Sequence, residues 1–160
     1  LLRRYRPEDY NGSWLLVGDR TSLFFVDFTR PGPASAVALP PGIHVLENRA
    51  LDEASLKVDL VRDALGLPTR GDEVVDAFHR VLTDHRIPEG DERPNAANCV
   101  HLDSFGTRSS CMVRVANGVV PPRMYVADGP PCATPYVEVS ELWTGHAALG
   151  PSAQSRTSGL

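Results

Sequence analysis

An α+β fold is what this 160-residue chain predicts, on three observations. Short apolar runs bounded by Gly, Pro and Asn/Asp turn formers fill residues 13–47. Two segments with helical apolar spacing follow, and short apolar runs return after residue 99. Strands, a helix pair and strands again describe helices layered on a mostly antiparallel sheet.

Leu1 to Arg6 reads as the end of a helix stopped by Pro7. After the Asn11-Gly12 turn, Ser13–Gly18 and Ser22–Phe28 read as antiparallel strands around Asp19-Arg20-Thr21. Their nearly continuous apolar character predicts burial on both faces. A Pro/Gly-rich loop from Arg30 to Ala34 leads to a short strand at Ala36–Leu39, and Pro40-Pro41-Gly42 turns the chain into a further strand, Ile43–Glu47. The first helix carries the stripe Leu56, Leu60, Val61, Ala64 and Leu65, with Asp52 or Ser55 as N-cap and Gly66 at its end. The second carries Val74, Val75, Phe78, Val81 and Leu82, with Asp72 and Glu73 where the helix dipole favours acids. Arg86–Asn98 is a polar loop. Strands return at Cys99–Leu102, Cys111–Val115, Arg123–Ala127 and Tyr136–Val139. Residues 144–160, rich in Gly, Ser and Ala, have no periodicity and read as a disordered tail, leaving 1–143 as the folded part.

Apolar content of 42% with 22% charged residues is ordinary for a globular protein. A net charge of −4 argues against nonspecific nucleic-acid binding, which requires a basic face to displace counterions. Fifteen of the sixteen basic residues are Arg, spread along the whole chain, which reads as coding bias. Cys99, Cys111 and Cys132 are odd in number and lack C-x-x-C spacing, so neither a disulfide framework nor a zinc site is indicated. A reducing, cytoplasmic setting is the expectation. No apolar run approaches the ~20 residues that span a bilayer, and no signal peptide is visible.

The stretch with most chemical content is Phe105-Gly106-Thr107-Arg108-Ser109-Ser110-Cys111, a polar turn that opens into an apolar strand. Arg108 offers a planar fork of donors suited to a carboxylate or phosphate, and Thr107, Ser109 and Ser110 add neutral donors. The alternatives are a ligand-binding turn, or a hairpin turn whose arginine pairs with a surface acid such as Asp103. Asn48, at the mouth of the loop into the helix pair, is a candidate oxyanion donor, or else an Asn satisfying turn geometry. Cys99, His101 and Asp103 alternate and would share one face of a strand, a face able to hold a metal or a Cys/His pair. Because neighbours there stand about 7 Å apart, too far for direct hydrogen bonding, a partly buried histidine is the preferred reading. His79 and His85, six apart, do not share a helix face. Cys132 follows Asp128-Gly129-Pro130-Pro131 with no base close in sequence, and reads as structural. The expectation is therefore no metal and no cofactor.

Several stretches in order resemble the NRDE family, also called the transport-and-Golgi-organisation family: Tyr10-Asn11-Gly12, the run Leu39-Pro40-Pro41-Gly42-Ile43-His44-Val45-Leu46-Glu47-Asn48, Ser55-Leu56-Lys57, and Phe105-Gly106-Thr107-Arg108-Ser109-Ser110. They span roughly residues 8–128. The segments Val126–Cys132 and Pro135–Val139 also look like the close of N-terminal-nucleophile acyltransferases and amidases. The resemblance implies a four-layer αββα sandwich and activity on amide or acyl substrates. Such enzymes use the first residue of the mature chain, usually Cys, as nucleophile. Leu1 cannot serve, and no Asn-Arg-Asp-Glu occurs, so the resemblance implies the C-terminal portion of the domain, with its N-terminal strands and nucleophile missing and no activity of its own. It leaves a second expectation, a carrier or chaperone for haem or a lipid-like ligand.

Overall fold

The structure, a computed structural model, describes residues 6–66, 71–116 and 118–143. These form an α+β arrangement of two α-helices and two three-stranded sheets. The chain divides into two units, Leu1–Ile43 and His44–Leu160.

The first unit is a meander of β1 (Trp14–Gly18), β2 (Leu23–Asp27) and β3 (Ala36–Ala38), antiparallel in the order β1-β2-β3. The predicted turn at Asp19 forms because its Oδ1 accepts the backbone N–H groups of Thr21 (2.8 Å) and Ser22 (2.9 Å). A short polar side chain thus folds the chain back on itself. Register pairs Leu16 with Phe25 and Phe25 with Val37. The unit's small core consists of Val26, Phe28 and Ala34.

Burial on both strand faces does not occur. Leu15, Leu16, Val17 and Val37 are all exposed, Leu16 by 55%. An apolar run states what a strand is able to bury, but covering it takes a second layer. Among its described residues this unit supplies one sheet, a single 3-10 turn at Pro7–Asp9 and no α-helix.

In the second unit, α1 (Leu56–Leu65) packs on α2 (Glu73–Leu82), and α2 on β4 (Ser110–Arg114). β4 pairs with β5 (Arg123–Ala127), and β5 with β6 (Val137–Glu138), all antiparallel. Ser55, not Asp52, caps α1: its Oγ accepts the Val58 N–H at 3.1 Å. Gly66 ends α1 at φ 61°, a left-handed value that glycine adopts without a Cβ penalty. The buried stripe of α1 is rotated from the expected one. Val58 and Val61 are inside, whereas Leu56 and Ala64 face out. In α2 the buried residues are Ala77 and Val81, and Phe78 is exposed. The remaining core is Ala96, Ala97, Cys99, Val100, Met112 and Ala127.

Two expected strands are loops. At Ile43–Glu47 the backbone groups of Val45 are taken by Asp52: Val45 N–H donates to Asp52 Oδ1 (2.9 Å), and Val45 C=O accepts Asp52 N–H (3.1 Å). Both backbone groups of Val45 are thus drawn away from a ladder. At Cys99–Leu102 the chain curls into a tight loop. Val100 exchanges bonds with Thr107, Leu102 N–H donates to Phe105 C=O (2.8 Å), and a single bridge joins His101 and Gly106. The expected helix end at Leu1 to Arg6, apart from Arg6, and the expected tail at 144–160 lie outside the described residues. No helix among the described residues is long and apolar enough to cross a membrane.

Candidate functional site

Four side chains from three separate segments converge in the second unit: His85, Cys99, His101 and Cys132. One ligand-type atom from each lies within 4.8 Å of all the others. The curled loop creates this. His101 Nε2 lies 3.6 Å from Cys99 Sγ and 3.1 Å from Cys132 Sγ, so the 7 Å separation expected of an extended strand is replaced by direct contact. Cys132, which has no base close in sequence, has an imidazole beside it in space.

Each residue is held by its backbone surroundings. Cys99 N–H donates to Asp84 C=O at 2.9 Å, which stitches the loop to the segment just past α2. His85 Nδ1 is 2.9 Å from Cys99 C=O. A carbonyl only accepts, so Nδ1 carries a proton, and in the neutral ring this leaves the lone pair on Nε2. The His85 and His101 rings lie 5.1 Å apart, tilted by 44°. Cys132 sits in a turn closed by Ala133 N–H and Thr134 N–H, both donating to Pro130 C=O (3.0 and 2.9 Å). Cys99 is fully buried, while His85, His101 and Cys132 are exposed. Burial pushes the Cys99 thiol pKa up, and the adjacent Cys132 adds to the rise through a hydrogen bond and like charge. The arrangement offers two sulfurs and two imidazoles, a donor set able to hold a soft or borderline cation. The third cysteine, Cys111, is exposed on β4 and is not a member.

The polar turn divides by role. Thr107 Oγ1 accepts the Val100 N–H (3.0 Å) and lies 3.5 Å from Asn98 C=O, so this hydroxyl closes the loop. Ser110 Oγ accepts the Tyr136 hydroxyl (2.6 Å) and ties β4 to the segment before β6. Arg108 and Ser109 are exposed. Among the described residues no carboxylate lies within ion-pair distance of Arg108, and Asp103 does not pair with it. Asn48 is exposed, inside a tight turn closed by Arg49 N–H to Glu47 C=O (2.7 Å). Among the described residues no hydrogen bond joins it to residues 107–110.

A further charged cluster sits at the entry to α1. Asp52, at φ 55°, accepts from Arg62 Nη2 (2.8 Å) and lies 2.6 Å from His44 Nδ1. Burial pushes its carboxyl pKa up, but the hydrogen bonds from His44 and Val45 N–H and the charges of His44 and Arg62 outweigh this and hold it below the usual value.

The class these features define is an α+β protein with a Cys/His cluster at the base of an arginine-bearing turn. No family model matches the chain, and neither a curated protein nor a solved structure matches it.

Proposed function

We propose that this chain belongs to an NRDE-family domain and that its Arg108 turn receives the anionic group of a small amide- or acyl-bearing ligand. The observation that carries the reading is the state of Arg108: exposed, without a carboxylate partner among the described residues, and flanked by Thr107 and Ser110, whose hydroxyls are spent on fixing the turn. A guanidinium held this way keeps its fork of donors for a ligand carboxylate. The finer architecture belongs to the same proposal. In an αββα sandwich the apolar faces of β1 to β3 would be covered by further layers, which accords with the exposure of Leu15, Leu16, Val17 and Val37. In that setting Asn48 would serve as an oxyanion donor.

The test is calorimetric titration of the full chain with N-acyl amino acids and with their neutral amides, alongside Arg108→Ala and Arg108→Lys. The expected result is preference for the carboxylates, with a loss of tenfold or more in Arg108→Ala, since a charge-assisted pair contributes roughly 1.5–3 kcal/mol. Equal binding of neutral amides, or an unchanged affinity in Arg108→Ala, would overturn it. Haem binding that Arg108→Ala leaves intact would favour the carrier reading instead.

A further inference from the structure

We propose that His85, Cys99, His101 and Cys132 bind one divalent transition-metal ion of the zinc type. Two thiolates and two imidazoles are the donor set of tetrahedral structural zinc. With bonds of roughly 2.0–2.3 Å, tetrahedral ligand atoms stand about 3.3–3.8 Å apart. At its centre, His101 Nε2 lies 3.6 Å from Cys99 Sγ, inside this range, and 3.1 Å from Cys132 Sγ, from which it has to open by a few tenths of an ångström. Its widest pair, within 4.8 Å, has to close by about 1 Å. The three exposed members provide that freedom and an entry path, while Cys99 is the fixed point.

A second observation points the same way. The hydrogen bond from His85 Nδ1 to Cys99 C=O sets the tautomer that leaves Nε2 as the ligand. Ligating histidines habitually donate their other ring N–H to a carbonyl or carboxylate, which fixes the ring and raises its basicity. Here the accepting carbonyl belongs to another member of the cluster. The donor set holds no carboxylate, so it does not suit calcium or magnesium.

Binding is balanced simply. The thiols of Cys99 and Cys132 each release a proton to water, and the two thiolates neutralise the dication. No oxidant or reductant takes part. The ion would tie together the segment after α2, the curled loop at 99–107 and the Pro130–Thr134 turn. That loop runs directly into Arg108, so metal would stiffen the base of the turn.

Titration of the full chain with Co(II), after treatment with chelator and reductant, tests this. Expected are the visible bands of tetrahedral cobalt and a thiolate charge-transfer band, both saturating at one ion per chain and bleached by Zn(II). Cys132→Ser removes one of two thiolates and should cost roughly half of the charge-transfer intensity. His85→Ala should weaken binding at least tenfold. Cys111→Ser should change nothing. Because Cys99 is buried and its replacement risks the fold, the exposed positions Cys132 and His85 decide the matter. Octahedral spectra, bands indifferent to Cys132→Ser, or mass spectrometry showing Cys99 and Cys132 joined as a disulfide under reducing purification would each overturn the proposal.

Discussion

His101 and Cys132 are 31 residues apart in sequence, yet the imidazole Nε2 lies 3.1 Å from the sulfur. Two rigid local devices produce the contact. One is the bridge between His101 and Gly106, which curls the loop after Cys99. The other is the turn closed on Pro130, which brings Cys132 round.

Gly106 is the vulnerable point of the first device. A Cβ there would stand 2.8 Å from the Val100 carbonyl oxygen, a backbone atom that cannot move aside cheaply. Gly106→Ala should cost about 1–3 kcal/mol, the usual range for forced overpacking. Thermal unfolding will register the loss. Labelling of the buried Cys99 by a thiol reagent should speed up in parallel, and an unchanged labelling rate would mean that the loop tolerates the methyl group.

Asp52 predicts a dependence on pH. Its folded pKa is depressed, so its contribution is complete above the unfolded value of about 3.9 and is lost as pH falls through the lower folded value. Asp52→Asn should therefore lower stability at neutral pH and flatten the acid limb of the stability curve between those two values. Removing the charged acceptor should cost about 2 kcal/mol at pH 7, typical of hydrogen bonds to charged groups. Asn tolerates the left-handed backbone found here, so strain does not confuse the comparison. Denaturant melts of both proteins across the acid range will show whether the curves converge.

The elements that were legible in the sequence are those whose chemistry is local. The Asp19 turn, the Ser55 cap and the Gly66 stop each depend on residues within a few positions of one another. The loop at Ile43–Glu47 and the one at Cys99–Leu102 were not legible, because distant partners, Asp52 and Thr107, take backbone bonds that a strand would need. Reading Cys99–Leu102 as extended also hid the cluster, since it held Cys99 and His101 apart. His85 and Cys132 arrive from other segments at spacings that match no common metal motif. What signal there was lay in the Cys-x-His pair next to a Gly-containing turn, together with Cys132 after a Gly-Pro-Pro run. Arg108 is exposed, while Thr107 and Ser110, read in the sequence as further donors, are structural partners of Val100 and Tyr136.

Ser55 gives a test of α1 alone. Its hydroxyl satisfies the Val58 N–H, one of the donors left open at a helix start. Ser55→Ala should cost about 1 kcal/mol, and Ser55→Asp, which also caps, should recover most of it. Chemical denaturation of the three proteins measures the series. Equal loss in both variants would show that Ser55 matters for packing and not for the cap.

Tyr136 joins the second sheet to the helix layer. Its hydroxyl donates to Ser110 at 2.6 Å, at the first residue of β4, while its ring meets His79 of α2 edge-on at 5.4 Å. The two contacts are separable by substitution. Tyr136→Phe keeps the ring and removes one half-buried hydrogen bond, for a loss of about 0.5–1.5 kcal/mol. Tyr136→Ala removes the ring as well, and should cost at least 1 kcal/mol more through lost apolar burial. Ser110→Ala should match Tyr136→Phe, and the double variant should cost less than the two single losses added, because both remove the same bond. A double-mutant cycle by denaturant unfolding supplies the coupling energy. Strict additivity would mean that the hydroxyls do not share a bond in solution, and Ser110 would then return to the list of donors free to meet a ligand beside Arg108.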